Sequence, residues 1–587
     1  MNSTHSLLLS VATILSCVAG LSNRSAFADD LDVRKLLPDT TAVYLEVRSV
    51  ESILGHPFVK SLQTSAPFKK LMRLPDAKKL NAGLVFFEFA VGDKLETVLK
   101  SLTTNGLHLA VDRKSEGAVL LANTESQEWI EEYLQKLAKI ARTDAKSKNQ
   151  PDPILEADYR GVHGYEFQKV MVGNIGSLLI VTNKGELGKS IIDRHLDSTN
   201  DHLLNKPIFQ QAWNAESQQP NSNDACVKAF VDIDTLRQAG FAEDLLMGKA
   251  KDFGAELILG GVLAAMNKTS FALGELFLKE HRIAVDFRIP HDKASTQESR
   301  TFFVGPNGGG HAAALVDSSS MMAKVSTYRN LSELWLRAGD LFDEKVNDQL
   351  AQADNTLTTL FSGKDFGTDI LGAIEPQIEL IAAEQQFDPT LVPAIQLPSF
   401  GIVAKLKNPM MRKDLKRMFQ TFIGFINITG AMEGNAQLDL DSETIDGRQI
   451  YTASYIKDAD KQYENGLPIL FNFSPTLAFD GDLVLFTSTN WLAKKVSTDV
   501  KLTASEKASA DNTSLTVDFA AVKRVFESNR TQLVSQNMLE KGHTKAEAEK
   551  EIETLLSFLS LLRTGAGSLR FDDFVRLNLE LEIIADR

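Results

Sequence analysis

Gly274-Glu275-Leu276-Phe277-Leu278, followed by Arg282-Ile283-Ala284-Val285-Asp286-Phe287-Arg288-Ile289, has a counterpart near the C-terminus: Gly567-Ser568-Leu569-Arg570-Phe571, followed by Arg576-Leu577-Asn578-Leu579-Glu580-Leu581-Glu582-Ile583. In both places apolar residues alternate with polar ones, the period-two pattern of strands with one face on a core and one in water. Each pair of runs reads as a hairpin. Alternation assigns Ile283, Val285, Phe287 and Ile289 in the first, and Leu577, Leu579, Leu581 and Ile583 in the second, to the inward face. It sends Arg282, Asp286, Arg288, Arg576, Asn578 and Glu580 to water.

Working outward from the hairpins, further landmarks recur in one order. Thr41-Ala42-Val43-Tyr44-Leu45-Glu46-Val47 is β-rich and precedes a helical stretch from Val50, as Met321 to Val325 precedes Asn330 to Trp335. Ala118 to Ala122, before a helix of Trp129, Ile130, Tyr133, Leu134, Leu137 and Ile140, is answered by Phe400 to Ala404 before Arg412 to Ile426. Gly176 to Thr182 is answered by Gly481 to Thr487, and Phe230-Val231-Asp232 by Thr516-Val517-Asp518. Strands and helices interleave in the same order in both halves. The expectation is therefore an α+β chain made of two tandem copies of a mixed, mainly antiparallel sheet-plus-helix module. Residues 1–28 are set aside; 29–300 form the first copy, with subdomains at about 31–200 and 225–290; the Gly-rich stretch 301–311 links them; 312–587 form the second copy, with subdomains at about 312–500 and 514–587.

The first 28 residues read as a secretory signal peptide, with an apolar run from Leu7 to Leu21 and small residues Ala26 and Ala28 framing a cleavage site before Asp29. The run of about 15 residues is short of the ~20 that span a bilayer. Met1 to Ser6 carries His5 but no Lys or Arg, a departure from the usual basic leader. Cys17, after Ile14-Leu15-Ser16, offers a looser alternative as a lipidation site. Export to the periplasm, cell surface or medium is the expectation, with no transmembrane segment left after cleavage. Cleavage removes Arg24 and no acid, taking the formal charge from -14 to -15. That surface disfavours nucleic acid and anionic bilayers as partners. Only Cys226 then remains, so no intrachain disulfide forms and stability must come from burial.

The sequence has no convincing catalytic or cofactor-binding constellation. Gly305 to His311 lacks the Lys-Ser/Thr that ends a phosphate loop, and no Gly-x-Ser-x-Gly elbow occurs. The 10 histidines are scattered without a His-Glu-x-x-His pair; His195 and His202 are the nearest approach to a metal pair, and both read as surface residues. Asp439-Leu440-Asp441-Ser442-Glu443 alternates carboxylates as a calcium loop does but lacks its glycine, so it reads as a strand with a solvated face. Cys226, between Ala225 and Val227, reads as a small core residue. With 33 Phe against 8 Tyr and 4 Trp, clusters such as Phe86-Phe87, Phe302-Phe303 and Phe419/Phe422/Phe425 supply greasy surface without polar handles. Core packing accounts for them first, and an apolar groove second.

Leu36-Leu37-Pro38-Asp39-Thr40-Thr41-Ala42-Val43-Tyr44-Leu45, together with the Gly-Ser-Leu-Leu-Ile-Val-Thr strand from Gly176, resembles the opening of a group of large secreted bacterial proteins of unknown function. The resemblance implies the same strand-led start and supplies no catalytic residues. The functional expectation is an exported, non-catalytic binding or structural protein. A carrier of an apolar, lipid-like ligand is the alternative, and a hydrolase whose carboxylates leave no motif is the second.

Overall fold

The computed structural model describes residues 32–584 apart from 49, 73–87, 90, 105, 218–223, 242–249, 251, 293–299, 318–320, 362, 459–462, 464–465, 499–500 and 503–508. The chain is α+β and divides into two compact units: Met1–Ala242 with Thr269–Ile289 and Ile584–Arg587, and Glu243–Lys268 with Pro290–Ile583.

In the first unit the strands are β1 (Thr41–Val47), β2 (Leu107–Asp112), β3 (Gly117–Asn123), β4 (Ile154–Tyr159), β5 (Val162–Phe167), β6 (Val170–Ile175), β7 (Leu178–Thr182), β8 (Val227–Asp232), β9 (Phe271–Lys279) and β10 (Arg282–Pro290). They pair antiparallel in the order β4-β5-β6-β7-β3-β2-β1-β8-β9-β10. Helices cover both faces. Leu187, Ile191 and Ile192 of helix Gly185–Asp197 and Phe209 of helix Pro207–Ser217 pack on Tyr44, Val119, Leu121 and Phe230. Ile130, Tyr133 and Leu134 of helix Gln127–Ser147 pack on Val47, Leu107, Ala122 and Leu179 from the other side. That helix starts where Ser126 accepts a hydrogen bond from the Trp129 amide, an ordinary cap. It runs to Ser147, further than its apolar periodicity reached, and β4 is a strand the sequence reading does not place, its alternation of Leu155, Ala157 and Tyr159 with Glu156 and Asp158 being short and weakly apolar.

The second unit holds β11 (Val316–Asp317), β12 (Ala323–Tyr328), β13 (Ile374–Ala383), β14 (Ser399–Leu406), β15 (Leu438–Ile445), β16 (Arg448–Tyr455), β17 (Thr476–Asp480), β18 (Leu483–Thr487), β19 (Lys501–Leu502), β20 (Thr513–Asp518), β21 (Leu562–Phe571) and β22 (Phe574–Ile583). The small β11–β19 pair stands apart. The others run β15-β16-β17-β18-β14-β13-β12-β20-β21-β22, again antiparallel. Counted along the chain, and with the small pair left out, that is the strand order of the first unit. The turns agree too: β4 and β5 join through Arg160 (φ 50°) and Gly161 (φ 86°), β15 and β16 through Asp446 (φ 52°) and Gly447 (φ 80°). Both are two-residue loops with two left-handed positions, the geometry that fits the twist of a hairpin.

Helix Phe253–Lys268, which the sequence assigns to the first copy, packs in the second unit. Its buried Glu256 accepts two hydrogen bonds from Arg300, at 2.7 and 2.9 Å, and Arg329 donates to the Leu257 carbonyl at 2.6 Å. Fully buried charges persist only when paired in this way.

The stretch 301–311 is not an open linker. Phe302, Phe303 and Val304 are buried, and Asn512 donates to the carbonyls of Phe303 (2.7 Å) and Gly310 (3.2 Å). Its glycines serve close packing: a Cβ on Gly310 would lie 2.6 Å from Tyr328, and one on Gly305, at φ 72°, would lie 2.8 Å from the Gly310 nitrogen.

The closing hairpins also differ from expectation. Phe287 and Leu579, placed inward by alternation, are exposed, whereas Ala284 and Arg288 are buried. Alternation states that the faces differ; what packs on them decides which is covered.

Candidate functional site

The reversal at Leu579 extends across the second unit's sheet. Directly opposed residues on neighbouring antiparallel strands share a face. The register places Phe486, Ile402, Leu380, Val325, Leu515, Gly567 and Leu579 side by side from β18 to β22. Of these, Phe486 and Ile402 are 44% exposed, Leu380 and Leu579 41%, and Leu515 36%. Phe400, two positions along β14 on the same face, is 54% exposed. Single exposed apolar residues are ordinary on protein surfaces, but a contiguous apolar band is a mark of an interaction site. The opposite face carries the next rung, Leu485, Val403, Glu379, Ser326, Ser514, Ser568 and Asn578. In this sheet the apolar rung meets water and the polar one is turned towards the covered side.

The band has an aromatic wall. Helix Arg412–Met432 sets Phe419 edge-on to Phe486, with ring centroids 6.2 Å apart, and leaves Phe422 and Phe425 exposed; Phe473 meets Phe400 at 6.4 Å. Gly567 keeps the row shallow beside Leu579, whose Cδ2 would be 3.2 Å from an added Cβ. No charged side chain belongs to the rung, so nothing in it would compete for water.

Glu379 makes the covered face possible. Its carboxylate is fully buried and accepts from the Ser326 hydroxyl (2.6 Å), the amides of Leu315 (3.0 Å) and Val316 (2.5 Å), and the Lys324 ammonium (3.2 Å). These charge-assisted bonds offset the desolvation of the carboxylate and pin residues 315–316 over the core formed by Ile381, Val403, Leu485 and Leu492.

The corresponding rung of the first unit, Val181, Leu120, Leu109, Leu45, Ala229, Gly274 and Phe287, is apolar too, with Phe287 exposed and the rest at least partly buried; the rung on its opposite face is ionic. His108, Glu46, Lys228, Glu275 and Asp286 stand side by side across β2, β1, β8, β9 and β10. Tyr44 bonds through its hydroxyl to His108 Nδ1 at 2.9 Å and Glu46 at 3.3 Å; Arg288 pairs with Glu275; Arg34 and Lys228 lie over the Trp213 ring at 5.2 and 5.6 Å. Burial, and secondarily the Arg34 guanidinium, pull the His108 imidazole down from 6.5 to about 4. Burial raises the Tyr44 hydroxyl well above its usual range. The charges are matched within the cluster, as buried ionic groups must be. Neither the Tyr44 hydroxyl, held high and fully covered, nor the neutral His108 is poised as a nucleophile.

The residues singled out from sequence are dispersed. Ala26, Ala28, Cys17 and Phe86-Phe87 lie outside the described residues. His195 lines a cleft beside helix Gln127–Ser147, but His202 is buried, bridging Pro38 through its backbone, rather than a surface residue. Among the described residues no group of His, Cys, Asp and Glu side chains converges on a metal position. The Cys226 thiol donates to the Leu276 carbonyl at 3.1 Å and burial raises its pKa, so the reactive thiolate is disfavoured. Asp439 and Asp441 stand exposed on β15, as a strand with a solvated face requires. Of the phenylalanine clusters, Phe302-Phe303 is core, Phe419 is buried against Phe486 at the end of the apolar band, and Phe422 and Phe425 are exposed on the same helix. The sheet's own contribution to that band was missed, because Ile402 and Leu380 look like any core strand residues.

No helix among the described residues is long and apolar enough to cross a membrane. No protein-family model and no curated protein matches the chain. Among solved structures it is similar to crystal form III of TP0453, at 9% identity and TM-score 0.25 over 47% of this chain and 86% of that one. Crystal form I of TP0453 follows at 10% identity and TM-score 0.26, over 49% and 89%.

Proposed function

We propose that the protein is exported after cleavage behind Ala28 and acts by binding, and that its occupant is a lipid-like hydrocarbon chain laid along the apolar rung from Phe486 to Leu579. The observation that carries this reading is the apolar rung on one continuous sheet face, of which Phe486, Ile402, Leu380, Leu515 and Leu579 are each at least 36% exposed. Three features favour a hydrocarbon chain over a peptide. The rung crosses the face of the sheet, where the backbones of β18 to β21 are already paired on both sides, so a peptide lying along it would find no edge to extend. It presents no donor or acceptor that could satisfy a peptide backbone, whereas a methylene chain needs none. At ~4.8 Å between strands, the six steps from β18 to β22 span ~29 Å, a long, narrow track suited to an extended chain. The shared strand order of the units favours descent from one duplicated module, in which the same apolar rung is mostly covered in the first unit and open in the second.

Mass spectrometry of organic extracts from the purified mature chain tests the reading, alongside titration with a fluorescent long-chain fatty acid. Wild-type protein is expected to carry lipid and to bind the probe, and Ile402→Glu with Leu515→Glu to lose both while melting like the parent. Lipid-free protein that also ignores the probe sinks the proposal, as does full binding by the double variant.

A further inference from the structure

A cleft in the first unit differs in character from the apolar band. It has a volume of about 450 Å³ and runs along helix Gln127–Ser147, within the ~300–1,000 Å³ typical of small-molecule sites. One wall is the ridge Gln127, Glu131 and Gln135, spaced by four residues and hence stacked on one helix face. Facing it are Arg160 and His163 from the β4–β5 hairpin, Asn174 from the end of β6, and His195. The Tyr165 ring, Leu134 and Ile175 supply apolar lining between these walls.

The charges of the cleft argue against an anion. Arg160 is the cationic side chain of the lining, and it donates to Asp193 at 2.7 Å and twice to Asp197 at 2.7 Å, so its charge is more than balanced. His163 faces Asp158 at 3.1 Å and Glu156 at 3.7 Å. Glu131 adds a further carboxylate, which accepts from the Gln127 amide at 2.8 Å. A phosphate would thus enter a region of net negative charge.

What the lining offers is groups that donate and accept at once. The carboxamides of Gln127, Gln135 and Asn174 each have both functions; Asn174 spends one N–H on the Gly176 carbonyl at 2.9 Å and keeps its oxygen as an acceptor. Hydroxyl groups require such partners, and the C–H faces of a saturated ring require apolar and aromatic surface beside them. We propose that this cleft binds a neutral, hydroxyl-rich ligand of one or two sugar rings, independently of the apolar band of the second unit.

Titration calorimetry and saturation-transfer NMR of the full mature chain with cellobiose, maltose and di-N-acetylchitobiose test this, with spermidine and inorganic phosphate as cationic and anionic controls. At least one disaccharide is expected to bind, with saturation strongest on its ring protons. Gln135→Ala and Asn174→Ala should each weaken that binding about tenfold, the effect of losing one ligand hydrogen bond. Gln135 is exposed, so that variant should melt like the parent and its loss will report on binding alone. Binding of spermidine or phosphate without any disaccharide, binding of no probe, or disaccharide binding undiminished in both variants each overturns the proposal. The lipid titration with Ile402→Glu and Leu515→Glu is unaffected by any of these outcomes, so the two sites stand or fall separately.

Discussion

Leu380 and Ile381 are neighbours on β13 whose side chains point to opposite faces, and comparing their alanine variants measures which face of the second unit's sheet is buried. Ile381 is 2% exposed and sits in the core with Val403 and Leu485, whereas Leu380 is 41% exposed in the apolar rung. Either change to alanine removes three carbons, at about 0.8 kcal/mol each when fully buried, or ~2.4 kcal/mol of transfer free energy. Around Ile381 the neighbours relax only partly, and the residual cavity takes the expected loss to ~3–5 kcal/mol. At Leu380 about six-tenths of that transfer applies and water fills the gap, so ~1–1.5 kcal/mol is expected. Urea unfolding followed by tryptophan fluorescence reads the difference, since Trp491 packs against the Ile381 cluster. Ile381→Ala should lower the midpoint clearly more than Leu380→Ala, with unchanged slope. Equal losses would show that the rung is covered in solution, and the apolar band would cease to be a binding surface.

The neutral state of His108 predicts a specific pH dependence. Its folded pKa lies near 4 and its unfolded one at 6.5, so the unfolded chain binds the extra proton; the stability it contributes is complete above pH 6.5 and is lost as pH falls towards 4, to a total of about 3 kcal/mol. A His108→Phe variant should flatten that part of the pH–stability profile, and an identical slope in both proteins would contradict the assignment. Glu379→Ala should cost ~3–5 kcal/mol, because it leaves the Leu315 and Val316 amides and the Ser326 hydroxyl without their buried acceptor and takes from Lys324 its carboxylate partner; thermal melts showing a loss below 1 kcal/mol would place the carboxylate in a wetter setting. Gly310→Ala should destabilise by ~1–3 kcal/mol through overlap with Tyr328, and a neutral effect in denaturant melts would restore the flexible-linker view of residues 301–311. N-terminal sequencing of exported material should begin at Asp29; a start at Cys17 or Met1 would refute cleavage after Ala28.

Element positions were largely legible in the linear pattern, for local reasons. The β-rich runs at Thr41–Val47, Leu107–Asp112 and Leu483–Thr487 became strands, and the 3.6-residue spacing of Ile130, Tyr133, Leu134 and Leu137 became one helix face. β4 carries only a weak alternation, since the small Ala157 stands between Glu156 and Asp158 and Leu155 is exposed. The polar rung was invisible as a unit, since His108, Glu46, Lys228, Glu275 and Asp286 are far apart in the chain and meet only through strand pairing.

Alternation along a strand determines that Phe287 and Arg288, or Leu380 and Ile381, face opposite ways, because the backbone repeats every two residues whatever surrounds it. Which way is inward depends on the layer that arrives from elsewhere in the sequence. Helix Pro207–Ser217 and the Glu275 carboxylate make the Arg288 side of β9 and β10 an interior, and residues 315–316, tied to Glu379, make the Ile381 side of β13 another. Burial is a property of the assembled layers, so the face left open, and with it the binding surface, was decided only by tertiary structure.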